Sequence, residues 1–168
     1  MARKETEEKE EKAMSIDTHS FGGVSQSYVD GQIDKLGTVA YLKGASYDEV
    51  IQGTWTLDGN THYVKNETSN ANGDGIRFKA YLTKGTYNLL FFALKTSSAP
   101  ILSFRIDGDE VASEDMYSSS EVREVIKKTN ITVNSSGLKT IDVVCDGKNA
   151  SSGGYTIYFY WMYWVRVE

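Results

Sequence analysis

Residues 155–167 are the most apolar run of the sequence and read YTIYFYWMYWVRV. A run dominated by aromatic and β-branched residues and preceded by glycines is typical of a β-strand. With regular alternation, one face of this strand carries Tyr158, Tyr160, Met162 and Trp164, and the other carries Tyr155, Ile157, Phe159, Trp161, Tyr163, Val165 and Val167. Because a strand with one side in water is polar at every second position, two apolar faces predict a strand that is covered on both sides.

The face with Tyr158, Tyr160, Met162 and Trp164 is the candidate contact surface for another subunit or for the preceding connector. Three coverings fit these residues: chain segment 15–45, an identical subunit, or a sugar. Tyr and Trp suit all three, because their rings combine a large apolar area with a polar edge. The pattern therefore predicts a covering and leaves three candidates for it.

Short strand-like runs fill the sequence from residue 47 onward, and turn residues separate them. Residues 76–82, for example, alternate apolar and polar side chains. Asp-Gly pairs follow three of the runs, at residues 58–59, 107–108 and 146–147. A short helix fits residues 122–128, because Ser118 and Glu121 have capping-box spacing. About eight short strands with almost no helix between them predict an all-β antiparallel sandwich or barrel.

The chain has 168 residues, enough for one domain of ordinary size and a modest extension. Residues 1–14 read MARKETEEKEEKAM, which contains helix-forming residues but no apolar stripe and predicts a charged arm, helical or disordered. Residues 15–45 show no sustained period and predict an extended connector that attaches to a neighbouring surface, although short strands fit residues 39–42. Residues 46–168 form the predicted sandwich.

Charge and cysteine content exclude several classes of function. The chain carries 18 basic and 23 acidic residues, a net charge of -5, and no basic stripe of the kind that binds nucleic acid. Its single cysteine, Cys145, lies in an apolar run and is expected to be a buried, inert thiol, and one Cys with two His cannot form a Cys/His zinc site within one chain. No run is long and apolar enough for a membrane span, and no secretory signal is recognisable.

The sequence lacks the motifs of common catalytic sites, and we expect that the protein is not an enzyme. It contains neither a Gly-x-Ser-x-Gly elbow nor a phosphate-binding loop. Close carboxylate pairs, such as Asp107 with Asp109, have the chemistry of a turn. Residues 70–75, NANGDG, place oxygen atoms at alternate positions as a calcium loop does, but Tyr81 stands where such a loop has its glutamate. A structural calcium ion therefore stays open and unassigned, and no other cofactor is expected.

Five segments of the sequence together resemble the carbohydrate-binding-module type of jelly roll. They are residues 78–87 (FKAYLTKGTY), 101–108 (ILSFRIDG), 115–117 (DMY), 137–141 (GLKTI) and 147–158 (GKNASSGGYTIY). Similar modules occur on glycoside-active enzymes and in phage tail, fibre and head-decoration proteins. The resemblance implies an antiparallel jelly-roll β-sandwich that binds or displays rather than catalyses. It also implies a polar residue at the place of Tyr160, so the ring found there indicates additional contact surface.

The charged arm, the connector and the jelly roll together resemble a virion accessory protein of a tailed phage, such as a head fibre, a head-decoration protein or a tail-fibre tip. On this hypothesis residues 1–45 attach to a capsid or tail protein, a homotrimer buries the aromatic strand, and the virion is assembled in a host cytoplasm. The outer loops then adhere to host-surface glycans. The alternative is a carbohydrate-binding module associated with a polysaccharide-active enzyme, in which the loop rings Trp55, Tyr63 and Tyr117 stack on sugar.

Overall fold

The computed structural model describes residues 39–58, 63–68 and 70–167 of the protein. The predicted arm, residues 1–14, and the predicted connector up to residue 38 lie outside the described residues. The described residues form eleven strands and a short 3₁₀ turn at Gly44–Ser46, with no α-helix among them. Within these ranges no helix is long and apolar enough to cross a membrane. The prediction of an all-β protein is confirmed.

The strands pair antiparallel throughout, apart from one isolated parallel bridge, and form two sheets. In chain order they are β1 (Val39–Lys43), β2 (Glu49–Gln52), β3 (Thr56–Leu57), β4 (Val64–Asn66), β5 (Gly75–Leu82), β6 (Gly85–Ala93), β7 (Ile101–Ile106), β8 (Asp109–Asp115), β9 (Val125–Val133), β10 (Gly137–Cys145) and β11 (Ile157–Arg166). The six-stranded sheet has the order β3-β4-β11-β6-β9, with β1 also paired to β11. The five-stranded sheet has the order β2-β5-β10-β7-β8. This is the predicted two-sheet antiparallel sandwich.

Two segments differ from what their sequence indicated: one is a strand of the sandwich, and the other is not the predicted helix. β1, at the end of the predicted connector, pairs with the second half of β11, so this part of the connector belongs to the sandwich. The short helix that fitted residues 122–128 is not formed, because Val125 begins β9 and Val122 makes an isolated bridge with Lys95. β9 extends the six-stranded sheet beyond β6.

The core lies between the two sheets, where the alternation of side chains along each strand places the apolar residues. In β6, Tyr87, Leu89, Phe91 and Ala93 are buried, and the residues between them are not. Phe91 packs on Phe104 from the other sheet, with 4.5 Å between ring centroids. Each large apolar side chain that is fully buried in this way stabilises the fold by about 1.5–3 kcal/mol. Cys145 is part of the core, where burial raises its pKa to about 12, as expected for an inert thiol.

β11 does not alternate regularly, because a β-bulge interrupts its pairing with β6. Phe159 lies opposite Ala93 and Trp161 lies opposite Phe92, which leaves Tyr160 without an opposite residue in β6. A bulge of this kind places two residues against one partner, so Tyr160 and Trp161 both face outward. The buried side chains of the strand are Ile157, Phe159, Met162 and Trp164, and the outward ones are Tyr158, Tyr160, Trp161, Tyr163 and Val165. The predicted regular alternation is therefore wrong from Trp161 onward.

Candidate functional site

The outward side chains of β11 and its neighbours form a continuous row of rings on the outer face of the six-stranded sheet. We call it the outer aromatic stripe, and its members are Tyr158, Tyr63, Tyr160, Phe92, Trp161, Tyr163 and Tyr41. The ring centroid of Tyr63 lies 5.8 Å from that of Tyr158 and 4.8 Å from that of Tyr160. Phe92 lies 4.6 Å from Tyr160 and 6.0 Å from Trp161. Because the bulge presents two consecutive rings to Phe92, the row continues along the strand without a gap.

One end of the stripe opens into a cleft of about 480 Å³. Three rings of the stripe form its aromatic wall: Tyr63, Tyr158 and Tyr160. The remaining lining residues come from the loops that follow β4, β6 and β8, and are Glu67, Leu94, Thr96, Ser98, Glu121 and Arg123. The cleft therefore combines an aromatic wall from the sheet with polar and charged groups from three loops.

Backbone hydrogen bonds between two of these loops fix the shape of the cleft. The Lys95 amide donates to the Val122 carbonyl at 3.1 Å, and the Val122 amide donates back to the Lys95 carbonyl at 3.0 Å. One residue later, Thr96 receives the Ser118 amide on its carbonyl at 3.1 Å. This pairing joins the loop after β6, which carries Thr96, to the loop after β8, which carries Glu121 and Arg123. All three residues therefore line the same cleft.

Glu67 is held at the edge of the cleft by two partners. The Tyr158 hydroxyl donates a hydrogen bond to its carboxylate, and the Lys65 ammonium lies 2.6 Å from the other carboxylate oxygen. Lys65, and to a lesser extent the Tyr158 hydroxyl, lowers the pKa of Glu67. The same hydrogen bond to an ionised acceptor raises the pKa of Tyr158 to about 12. Glu67 is therefore a carboxylate, and Tyr158 a neutral phenol, across the ordinary range of pH.

Arg123 and Glu121 form a second charged pair on the opposite side of the cleft. The Arg123 Nε donates to the Glu121 carboxylate at 2.6 Å, which raises the pKa of Arg123. Burial beside these residues raises the pKa of Tyr160, with Tyr63 and Glu121 adding to the effect and Arg123 opposing it. Both pairs are exposed enough to change partners at little cost when a ligand arrives.

The structure brings together only part of the residues that the sequence singled out. Tyr63 lines the cleft, together with Tyr158 and Tyr160. Trp55, predicted to stack on sugar, is buried in the core, and its indole donates to the Gln52 carbonyl at 2.9 Å. Tyr117 is half-buried beside Thr96 and does not line the cleft.

Met162 and Trp164, predicted to contact a subunit or the connector, are fully buried between the two sheets. The bulge turns them to the core face and turns Trp161 and Tyr163 outward in their place. Neither Met162 nor Trp164 has surface left to offer a partner, so this part of the predicted contact surface is corrected. The two members that do face outward are Tyr158 and Tyr160.

Reasoning from the sequence missed most residues of the cleft and stripe, among them Glu67, Phe92, Arg123 and Trp161. Phe92 is an outward position of an alternating strand, and the alternation of β6 could have indicated it. Glu67 and Arg123 lie in segments far apart in the sequence, and only the fold brings them to one cleft. Trp161 required knowledge of the bulge.

The calcium-like segment, residues 70–75, forms a tight turn in which Asp74 is buried. Its carboxylate accepts the Asn66 side-chain amide at 2.7 Å, the Ala71 backbone amide at 2.8 Å and the Gln52 side-chain amide at 3.3 Å. N–H donors therefore contact both carboxylate oxygens, and these hydrogen bonds hold the turn together. Across the described residues no three acidic, histidine or cysteine side chains are placed to hold a metal ion.

The chemistry of the cleft suits binding of one kind of molecule. Aromatic walls contact a flat apolar surface, and charged groups at the edge form strong hydrogen bonds with hydroxyl or amide groups. A cleft with both features holds a ligand whose faces are apolar and whose rim is polar.

Solved structures of known function share this fold. The protein is similar to the CBM36-1 domain of a multidomain xylanase from the hindgut metagenome of Trinervitermes trinervoides, with a TM-score of 0.61, 14% identity, and coverage of 78% of this chain and 99% of that one. It is also similar to a family 36 carbohydrate-binding module in complex with calcium and xylotriose, with a TM-score of 0.58, 15% identity, and coverage of 74% and 98%. A family 6 carbohydrate-binding module from Clostridium cellulolyticum in complex with xylose gives a TM-score of 0.56, 15% identity, and coverage of 77% and 97%.

These similarities establish the fold, a jelly roll of the carbohydrate-binding-module type, and so confirm the resemblance at that level. No protein-family model matches the chain, and no curated protein matches it.

Proposed function

We propose that the protein is a non-catalytic carbohydrate-binding module and that it binds a glycan in the cleft. The observation that carries the proposal is the wall of Tyr63, Tyr158 and Tyr160 beside the charged pairs of Glu67 and Arg123. A sugar ring has apolar C–H faces and a rim of hydroxyl groups, which is the ligand shape that such a cleft fits. Similar structures bind xylotriose and xylose, which supports the same class of ligand for this chain.

The residues of the cleft have separate roles in this proposal. Tyr160 and Tyr63 provide the surface on which the sugar ring lies, since their centroids are 4.8 Å apart and both rings are half-buried. Glu67 accepts hydrogen bonds from sugar hydroxyls, and Arg123 donates to ring or hydroxyl oxygens. Tyr158 orients Glu67 through its own hydrogen bond.

The state of Glu67 favours binding over catalysis. A glycosidase needs one carboxylic acid with a raised pKa that can protonate the leaving oxygen. Lys65 and Tyr158 instead lower the pKa of Glu67 and keep it ionised. Glu67 is therefore not suited to the role of that general acid.

The proposal is tested by measuring binding of the full chain to a panel of soluble glycans, including xylotriose and mannopentaose, by isothermal titration calorimetry. Tyr160→Ala and Tyr63→Ala should each weaken binding about ten-fold, the effect of losing one aromatic anchor. Tyr81→Ala is the matched control, because Tyr81 is 62% exposed on the other sheet. The absence of binding to every glycan at millimolar concentration would overturn the proposal, as would equal losses in all three variants.

The virion hypothesis stays a prediction from the sequence. Its attachment segment, residues 1–45, lies almost wholly outside the described residues, and the similar structures are modules of polysaccharide-active enzymes or isolated modules. The predicted homotrimer is equally untested. Sedimentation equilibrium of the full chain measures it directly, with a mass three times that of one chain as the expected result.

A further inference from the structure

The outer aromatic stripe does not end at the cleft. Beyond Tyr160 it continues over the sheet as four rings, which we call the sheet-face extension: Phe92, Trp161, Tyr163 and Tyr41. Trp161 lies 5.1 Å from Tyr163 by ring centroid, and Tyr163 stacks on Tyr41 at 4.4 Å. Tyr41 is 44% exposed. The extension is therefore a second aromatic surface that shares an edge with the cleft.

The polar atoms at the edges of these rings have no hydrogen-bond partner among the described residues. Within the part of the chain that the structure describes, no hydrogen bond is found for the Tyr41 hydroxyl, the Tyr163 hydroxyl or the Trp161 indole N–H. An interface that depends on hydrophobic contact alone gains little from such groups, whereas a ligand rich in hydroxyls can pair with each of them. The unused edges favour a glycan over an apolar partner on this surface.

Two lysines flank the extension, one on each side. Lys43 of β1 lies directly opposite Trp161, and Lys127 of β9 lies directly opposite Leu90, the residue of β6 that pairs with Tyr163. The two lysines are separated by three strand spacings, about 15 Å across the sheet. Both are exposed, and neither forms an ion pair with any described residue.

The lysines give this part of the face a charge that the cleft lacks. Lys65 and Arg123 at the cleft are balanced by Glu67 and Glu121. Lys43 and Lys127 have no acidic partner among the described residues, so within this part of the chain they give the extension a positive charge, although the whole chain carries a net charge of -5. Cations placed without partners beside an aromatic surface complement a ligand that carries negative charge.

We propose that the sheet-face extension binds an anionic polysaccharide chain, one that carries carboxylate or sulfate groups, as it leaves the cleft. This inference rests on the proposed function and specifies its ligand. The sugar rings lie on Trp161 and Tyr163, their hydroxyls pair with the free ring edges, and the acidic groups on the two sides of the chain pair with Lys43 and Lys127. The protein thus binds interior sugar units of a long polysaccharide as well as those at its end.

The experiment compares acidic polymers with their charge-neutralised forms, so that only the charge differs. Polygalacturonate, alginate, hyaluronan and xanthan, each with its methyl-esterified counterpart, and dextran sulfate with dextran, are titrated against the full chain. At least one acidic polymer should bind about ten-fold more tightly than its neutral form, as two exposed ion pairs of two- to five-fold each would provide. This preference should disappear in concentrated salt, because exposed pairs are screened.

Variants separate this inference from the proposed function. Lys43→Gln with Lys127→Gln should remove the preference for the acidic polymer and leave binding of its neutral form unchanged. Lys79→Gln with Lys84→Gln is the matched control, because these exposed lysines lie outside the six-stranded face, and it should change neither. Trp161→Ala should weaken long chains of either kind and leave short oligosaccharides in the cleft unaffected.

The outcomes that would overturn the inference are distinct. Glycan binding that is equal for acidic and neutral forms and insensitive to the two lysines refutes the extension and leaves the proposed function standing. No binding to any glycan refutes both. Self-association that Trp161→Ala abolishes, without any glycan binding, identifies the extension as a protein interface instead.

Discussion

The outer faces of the two sheets differ in how far their polar and charged side chains are paired within the protein. On the five-stranded sheet, Arg77 binds Asp142 through two hydrogen bonds of 2.7 and 2.9 Å, and Arg105 binds Asp146 at 2.8 Å. On the six-stranded sheet the corresponding surface is the outer aromatic stripe, and in its extension the ring edges and the two lysines have no partner among the residues that the structure describes. The five-stranded face pairs its charged side chains internally, whereas the six-stranded face does so at the cleft but not, among the described residues, along the extension.

If the protein binds a glycan as proposed, this difference indicates which face the ligand contacts. Charges that already pair within one face would have to break those pairs before contacting a ligand, and doing so costs free energy. Rings whose polar edges contact only solvent need no internal pair to break when a ligand covers them, and they gain buried apolar area provided that the ligand replaces the hydrogen bonds to water. Substitutions on the five-stranded face should therefore act on stability, and those on the six-stranded face should act on binding.

The largest expected effect concerns the two tryptophans near the bulge in β11. Trp164→Ala should lower the free energy of unfolding by about 3–5 kcal/mol, because it empties a fully buried site. Trp161→Ala, three residues earlier, should cost only about 1–2 kcal/mol, because its ring lies on the outer face against Phe92 and Tyr163. Urea unfolding of both variants measures the difference. Equal costs, or a larger cost at Trp161, would mean that the strand alternates without the bulge.

The second prediction concerns the paired face. Asp142→Ala should lower the free energy of unfolding by about 1–3 kcal/mol, since the Asp142 carboxylate is nearly buried and its loss leaves Arg77 with only Glu49, at 3.6 Å. Glycan affinity should not change. Asp146→Ala is the control on the same face, because the more exposed Arg105–Asp146 pair should contribute less than 1 kcal/mol by the usual range of about 0–1 kcal/mol. A loss of glycan binding in Asp142→Ala, at full folding, would contradict the division of roles between the faces.

The sequence was sufficient to predict the sandwich but not the phase of its most informative strand. The buried faces of β6 and β5 can be predicted from the sequence, because polar residues such as Asn88 and Lys79 mark the outward positions. β11 has almost no polar residue to mark its phase, so a shift of one residue at Tyr160 leaves no trace in the pattern. Regular alternation predicts that Met162 and Trp164 lie on the contact face, whereas the bulge places Trp161 and Tyr163 there.

Of the three predicted sugar-stacking residues, only Tyr63 lines the cleft, for a similar reason. Tyr63, Trp55 and Tyr117 all lie near turns in the sequence. That position does not show whether a side chain points outward from its loop or is buried under the sheet. Trp55 is buried because its indole reaches back to the Gln52 carbonyl, a contact within one short loop. The charges of the cleft come from segments more than fifty residues apart, Glu67 and Arg123, whose proximity depends on the whole topology.

The smallest expected effect concerns the hydroxyl of Tyr158, which has no counterpart on the paired face. Its hydrogen bond to Glu67 raises its pKa from 10.0 to about 12. Because the folded pKa lies above the ordinary value, this interaction stabilises the fold fully below pH 10 and is lost as pH rises through 12. In an NMR titration of ring-labelled tyrosine, the Tyr158 resonance should titrate well above pH 10, near pH 12.

Glu67→Ala should lower the pKa of Tyr158 toward its ordinary value of 10.0, because it removes both the acceptor and the negative charge. Glu49→Ala, which removes a carboxylate from the five-stranded sheet, should leave it unchanged. A bound glycan that takes hydrogen bonds from Glu67 should compete with Tyr158 and lower the same pKa. A late-titrating Tyr158 that responds to neither Glu67→Ala nor glycan would show that burial, rather than this hydrogen bond, holds its proton, and would remove Glu67 from the proposed site.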